Sequence, residues 1–166
     1  MAKETVLADD FHPLFYDELG RLTVATGRIE YMLKLCIKDL KGGGFTVGMS
    51  LAEKIRNFSD LCSCAITLSS DALDEPHRST FQDLVKKIGA LGDDRNDMIH
   101  AMWTATDDRV ALRIRPERKK KSNAINWKKT RRIEIDELST LRRKVEAAFR
   151  ELLSNREGWR TRKSEL

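Results

Sequence analysis

Between Leu14 and Leu40, Phe15, Leu19, Leu22, Thr26, Ile29, Leu33, Cys36 and Leu40 recur at alternating spacings of four and three. This rhythm predicts one amphipathic helix over 10–40, about 40 Å long. Gly42, Gly43 and Gly44 end it, because glycine is the residue that most readily stops a helix. Ser50 and Glu53 have capping-box spacing, and Leu51, Ile55, Phe58, Cys62, Ala65 and Leu68 form an apolar face behind them. A second helix is predicted over 50–69. Asp74, Glu75 and Pro76 are start signals for a third over 75–101, with Phe81, Val85, Ile88, Gly92, Arg95, Ile99 and Met102 in the same rhythm. Arg95 therefore falls on an apolar stripe.

The period then changes from near four to two. Val110, Leu112 and Ile114 alternate with Ala111, Arg113 and Arg115, and Ile133 and Ile135 alternate with Arg132 and Glu134. Such alternation predicts half-exposed strands, with Asp107 and Asp108 as the turn before the first, so 102–135 reads as a β-hairpin or three-stranded ribbon. Asp136 is the expected N-cap of a fourth helix over 137–154, carrying Leu138, Leu141, Val145 and Leu152; the basic tail after Ser154 has no assignment. The expected fold is all-α: an antiparallel bundle of four or more helices with a basic β-hairpin inserted between the third and fourth, one domain over 1–166.

Composition narrows the class. With 166 residues, 40% apolar and 34% charged, 9 Gly and 3 Pro, the chain is neither collagen-like, nor a linker, nor a disulfide scaffold. No apolar run reaches membrane-spanning length, and Met1 to Asp10 lacks the apolar stretch of a signal peptide, so a cytoplasmic protein without membrane contact is expected. Cys36, Cys62 and Cys64 lack paired metal or redox spacing and read as reduced, mostly buried thiols.

Charge is unevenly placed. From Arg115 to Arg132, nine basic residues stand against one acid, a local +8 in a chain whose net charge is +5. Lys119, Lys120, Lys121, Lys128, Lys129, Arg131 and Arg132 make this arm a candidate nucleic-acid surface, since each cation that neutralises a phosphate releases a counterion. A solvated loop that only aids solubility fits the same composition.

Arg95-Asn96-Asp97-Met98-Ile99-His100 is the constellation with chemical content. In such a chain Arg-Asn-x-x-x-His arises by chance only ~0.01 times. With the long first helix, Glu30 in Gly-Arg-Ile-Glu-Tyr and Ala101-Met102-Trp103 after the histidine, the chain resembles the HEPN domains over about residues 10 to 155. These are α-helical bundles with Arg-x4-6-His near the end of their third helix. The resemblance implies a homodimer that pairs two motifs and, in many members, a ribonuclease needing no metal or cofactor, acting in toxin-antitoxin, antiphage defence or RNA processing. It also implies a cognate antitoxin, often a small nucleotidyltransferase. Other members only bind.

On this reading Arg95, Asn96 and His100 are the catalytic residues, with Glu30 in support. Successive helical residues turn by about 100°, so Asn96 and His100 share a face whereas Arg95 and His100 diverge by about 140°. One protomer alone holds a loose site, and a two-fold axis beside the third helices would gather two Arg95–His100 pairs. Imidazole suits proton transfer near neutral pH, and a guanidinium offers forked donors to a phosphoryl group.

Structural readings stand beside each assignment. Arg95 fits a buried cation paired with Glu30, His100 a helix C-terminal cap, and Asn96 a bridge between helices. Gly20 and Gly27, on the Glu30 side of the first helix, fit close packing, and Trp103 and Trp127 fit the packing face of the hairpin as well as base stacking. His12 and His77 are expected at the surface. No phosphate-binding loop, nucleophile elbow or zinc helix is present. The rivals to an enzyme are a non-catalytic RNA- or nucleotide-binding regulatory dimer and a purely structural dimer.

Overall fold

Pro13 opens the first helix because its missing N–H costs nothing in the first turn, and the residue before it supplies a cap. In the computed structural model, which describes residues 12–105, 109–114, 117–118, 125–126 and 131–163, α1 spans Pro13–Lys41. His12 Nδ1 accepts a hydrogen bond from the Leu14 N–H at 3.2 Å, so this histidine is a helix cap rather than a partnerless surface residue. The expected stripe is buried, with Phe15, Leu22, Thr26, Ile29, Leu33, Cys36 and Leu40 all inside.

The predicted second helix is two helices, α2 (Gly44–Lys54) and α3 (Phe58–Ala72). Ser50 lies within α2 and caps nothing. Gly42, Gly43 and Gly44 hold φ of 69°, 75° and 85°, a left-handed run that reverses the chain and starts α2. The reversal lays α2 against α1 so closely that a Cβ on Gly48 would stand 2.7 Å from the Lys38 Cα and carbonyl oxygen. Extended backbone at Ile55 and Asn57 then redirects the chain into α3, which packs on both α1 and α4. One straight helix could not make both sets of contacts.

The third predicted helix is α4 (His77–Ile99), with Phe81, Leu84, Val85 and Ile88 in the core. Strands β1 (Met102–Ala105), β2 (Val110–Ile114) and, later, β5 (Arg131–Glu134) form an antiparallel sheet in the order β1-β2-β5; β3 (Glu117–Arg118) pairs with β4 (Ile125–Asn126) between them. In β2 the buried face is the less hydrophobic one. Ala111 and Arg113 are its buried positions, whereas Val110, Leu112 and Ile114 are only half-buried. Ala111 pairs with Ile133 in register, and both belong to the main core.

The last helix, α5 (Ile135–Lys163), begins at Ile135, making Asp136 a first-turn acid rather than the cap. It also continues well past Ser154. Arg156 reaches Asp39 of α1 at 2.7 Å, and Trp159 is buried edge-on to Phe81 with ring centroids 6.3 Å apart. The basic tail therefore closes the core against α1 and α4. Cys36 and Cys62 lie in the same interior as free thiols, and burial pushes the Cys62 thiol up to about 11. No helix among the described residues is long and apolar enough to cross a membrane.

Candidate functional site

The final turn of α4 presents Arg95, Asn96 and His100. The helix ends at Ile99 and His100 is its C-cap, with a backbone N–H that donates to the Asn96 carbonyl oxygen at 3.2 Å. The His100 side chain is exposed. The capping position anticipated as a structural alternative is thus occupied, and it leaves the imidazole in solvent.

Arg95 and Asn96 are joined to each other. Arg95 Nη1 donates to Asn96 Oδ1 at 2.8 Å, so the amide oxygen is engaged by its neighbour and not by His100. Both side chains are half-buried. The stem of Arg95 lies against a small cavity that it lines with Thr26, Phe58 and Gly92, and its Nε is buried without a hydrogen-bond partner. A Cβ on Gly92 would meet the Phe58 ring at 2.5 Å, so glycine one turn before Arg95 lets the ring approach this part of α4.

The anticipated pairing of Arg95 with Glu30 is not made. Glu30 Oε1 instead stands 3.3 Å from Lys34 Nζ, one turn along α1, where an (i, i+4) partner is always within reach. Glu30 therefore does not join the motif within one chain. Gly20 and Gly27 are exposed, and a Cβ at either would meet nothing within 4 Å, so they serve no close packing among the described residues. Trp103 donates from Nε1 to the Met98 carbonyl at 3.0 Å and stacks edge-on against Phe15 at 4.9 Å. Its ring holds the start of β1 to both α4 and α1, which is the packing role. His77 is half-buried, with an Nε2 that lacks a partner, and so is not the surface residue expected.

One residue beside the motif has no counterpart among the sequence-based candidates. Arg113 of β2 is 5% exposed, and its Nη1 lies 3.4 Å from both the carbonyl oxygen and the Oδ2 of Asp97. Burial, then the nearby Arg131, holds the Arg113 guanidinium below the usual arginine range, partly offset by Glu137. No signal in the alternating pattern could reveal it, because Val110, Leu112 and Ile114 outvote Ala111 when the inward face is assigned by hydropathy.

Arg131 and Arg132 are exposed on β5, and Arg131 pairs with Glu137 Oε2 at 2.9 Å. Lys119, Lys120, Lys121, Lys128, Lys129 and Trp127 lie outside the described residues. A groove of about 440 Å³ runs between α4, β5 and α5, with Asp94, Glu134 and Glu137 facing Arg131 and Lys144. Neither Arg95 nor His100 lines it. No protein-family model, curated protein or solved structure matches the chain.

Proposed function

We propose that the protein is a HEPN-type endoribonuclease: a cytoplasmic homodimer of helical bundles, each carrying a basic hairpin, that cleaves RNA without a metal or cofactor. The observation that carries this reading is the Arg95-Asn96-x-x-x-His100 set at the end of α4, with the guanidinium and amide joined at 2.8 Å and the histidine exposed one turn on. Paired across a two-fold axis, one His100 accepts the proton of a ribose 2′-hydroxyl as its oxygen attacks phosphorus. The bond to the 5′-oxygen breaks, and the second His100 protonates that leaving oxygen. Arg95 donates to the phosphoryl oxygens as charge builds, and Asn96 holds Arg95 rather than His100. The products are a 2′,3′-cyclic phosphate and a 5′-hydroxyl, and DNA is not a substrate because it lacks the attacking group.

In this reading Lys119, Lys120, Lys121, Lys128, Lys129, Arg131 and Arg132 hold the RNA backbone, Glu30 is a supporting residue that does not pair with Arg95 of its own chain, and a cognate antitoxin restrains the activity. Incubating a mixed RNA pool in EDTA with wild-type protein and with the His100→Ala variant tests it. Cyclic-phosphate ends made by wild type alone support the enzyme. A second reading, a non-catalytic RNA- or nucleotide-binding dimer, is favoured by the engagement of Arg95 with Asn96, which leaves fewer of its donors for a phosphate. Binding without cleavage by either protein decides for it.

A further inference from the structure

Thr26 is the one hydroxyl-bearing residue among the buried positions of α1, and it is 5% exposed. A threonine inside a helix returns its single hydroxyl proton to the preceding turn. Thr26 Oγ1 does so, with the Leu22 carbonyl oxygen at 2.8 Å and that of Thr23 at 2.9 Å. The proton is thereby committed, while the oxygen can still accept. Among the described residues, no donor reaches its lone pairs.

α4 brings a donor with the opposite need to the same place. Arg95 Nε is buried without a hydrogen-bond partner, while Nη1 of the same guanidinium donates to Asn96 Oδ1 at 2.8 Å. Thr26 and Arg95 line one cavity of about 10 Å³, which Phe58 and Gly92 complete. That volume is about one water-sized sphere. Phe58 and Gly92 bring no polar side-chain atom to the wall, and the absence of a Cβ on Gly92 is what admits the ring. The polar side chains of the cavity are therefore one donor lacking an acceptor and one acceptor lacking a donor. A purely apolar hole of this size stays dry, whereas a hole with such a pair on its wall holds water.

We infer that one ordered water sits in this cavity, accepting from Arg95 Nε–H and donating to Thr26 Oγ1, and that Thr26 is thereby a positioning residue for the Arg95 guanidinium. A guanidinium has five N–H groups. One on Nη1 goes to Asn96, and the one on Nε goes through the water to α1. Three remain, one on Nη1 and two on Nη2, and these form the end-on edge that a phosphoryl group can meet with two parallel bonds. Arg95 is thus aimed by two helices, its own and α1, and the bond to Asn96 does not exhaust its donors. The action of Arg95 on RNA rests on the proposed function; the water and its two contacts do not.

Thr26→Val keeps the branched shape and removes the hydroxyl, whereas Thr26→Ser keeps the hydroxyl. Thermal melts close to that of wild type establish that both variants are folded. In isotope-labelled protein, the Arg95 Nε–H signal is assigned by its loss in Arg95→Lys. It is expected to show magnetisation transfer from a long-lived water in wild type and in Thr26→Ser, and none in Thr26→Val. No such transfer in wild type, or the same transfer in Thr26→Val, overturns the inference. RNA cleavage by the same three proteins reads the positioning. Because Arg95 is needed as charge builds, kcat of Thr26→Val is expected to fall about 10–100-fold with KM little changed, and Thr26→Ser to recover most of it. A kcat for Thr26→Val equal to that of wild type removes the positioning role and leaves the nuclease standing. Loss of the water contact in Thr26→Val, with no cleavage by any of the three, sinks the nuclease and keeps the water link between α1 and Arg95.

Discussion

Arg113 of β2 lies 3.4 Å from both the carbonyl oxygen and the carboxylate of Asp97, tying the sheet to the last turn of the helix that carries Arg95, Asn96 and His100. A cation at a helix C-terminus meets the unpaired carbonyls of the final turn, so Arg113 neutralises both the local dipole and the Asp97 side chain. The buried guanidinium therefore fixes the direction in which α4 ends. It acts through Asp97 and does not itself reach the motif's imidazole.

Replacing Arg113 with Met keeps much of the volume and removes the donors. The Asp97 carboxylate is a third exposed and recovers water, so the cost is expected near ~1–3 kcal/mol rather than that of a fully buried pair. Urea unfolding gives the stability, and amide exchange at Ile99 to Met102 reads the local effect. Faster exchange there, with little change in the middle of α4, is the outcome that fits a tether. Uniform loss of protection would reduce Arg113 to one core residue among many.

Stability in acid depends on a different pair. Glu18 accepts from Arg142 Nε at 2.7 Å, and the Arg142 hydrogen bond, outweighing burial and helped by Ser139, holds the Glu18 carboxyl below its usual 4.5. A depressed carboxylate stabilises the fold above its unfolded value, and that contribution is lost as the pH falls from about 4.5 through the lower folded value. Glu18→Gln should therefore be less stable than wild type at pH 7, with the gap closing in acid. Thermal melts of both proteins from pH 7 down to 3 check it; a gap that stays constant would show that the carboxylate's charge contributes nothing.

Much of the helical layout is legible in the sequence because burial repeats with the helix period. The stripes from Phe15 to Leu40 and from Phe81 to Ile88 are core stripes, and the break at Gly42 to Gly44 is where α1 ends. Three features are not legible, each for its own reason. Ser50 and Glu53 match a cap by spacing alone, while the left-handed glycines have already begun α2. In β2 the smaller Ala111 faces the core, paired in register with Ile133, a tertiary placement that hydropathy inverts. Trp159 is isolated among charged residues, so its burial against Phe81 leaves no periodic trace. At the site the motif residues are legible by type, but their partners are not. Arg95 turns to Asn96 and Glu30 to Lys34 because each has a nearer neighbour than the other.

Gly92 links packing to the site. A Cβ there would stand 2.5 Å from the Phe58 ring, which also borders the cavity beside Arg95. Gly92→Ala should cost ~1–3 kcal/mol through overpacking, against the gain of up to about 1 kcal/mol that the same change brings at an open helical glycine. Adding Phe58→Leu removes the obstructing ring atoms and should recover part of the loss, a coupling that a double-mutant cycle in urea measures directly. Strict additivity of the two changes would show that α4 and α3 separate instead of clashing.

Arg131 and the lysines of the basic arm should behave differently toward RNA, because Arg131 already shares its charge with Glu137 at 2.9 Å. A phosphate that takes Arg131 must displace that carboxylate, so the net release of counterions is small. Arg131→Ala is therefore expected to weaken RNA binding slightly and leave its salt dependence nearly unchanged. Changing Lys119, Lys120 and Lys121 together to Ala should weaken binding strongly and flatten the slope of log K against log salt by about 2–3, or about 0.7–0.9 for each phosphate no longer neutralised. Fluorescence anisotropy with a labelled single-stranded RNA over a salt series separates the two. If the triple variant keeps the wild-type slope, the arm does not touch the RNA backbone, and the phosphate-binding groups must be sought nearer Arg95.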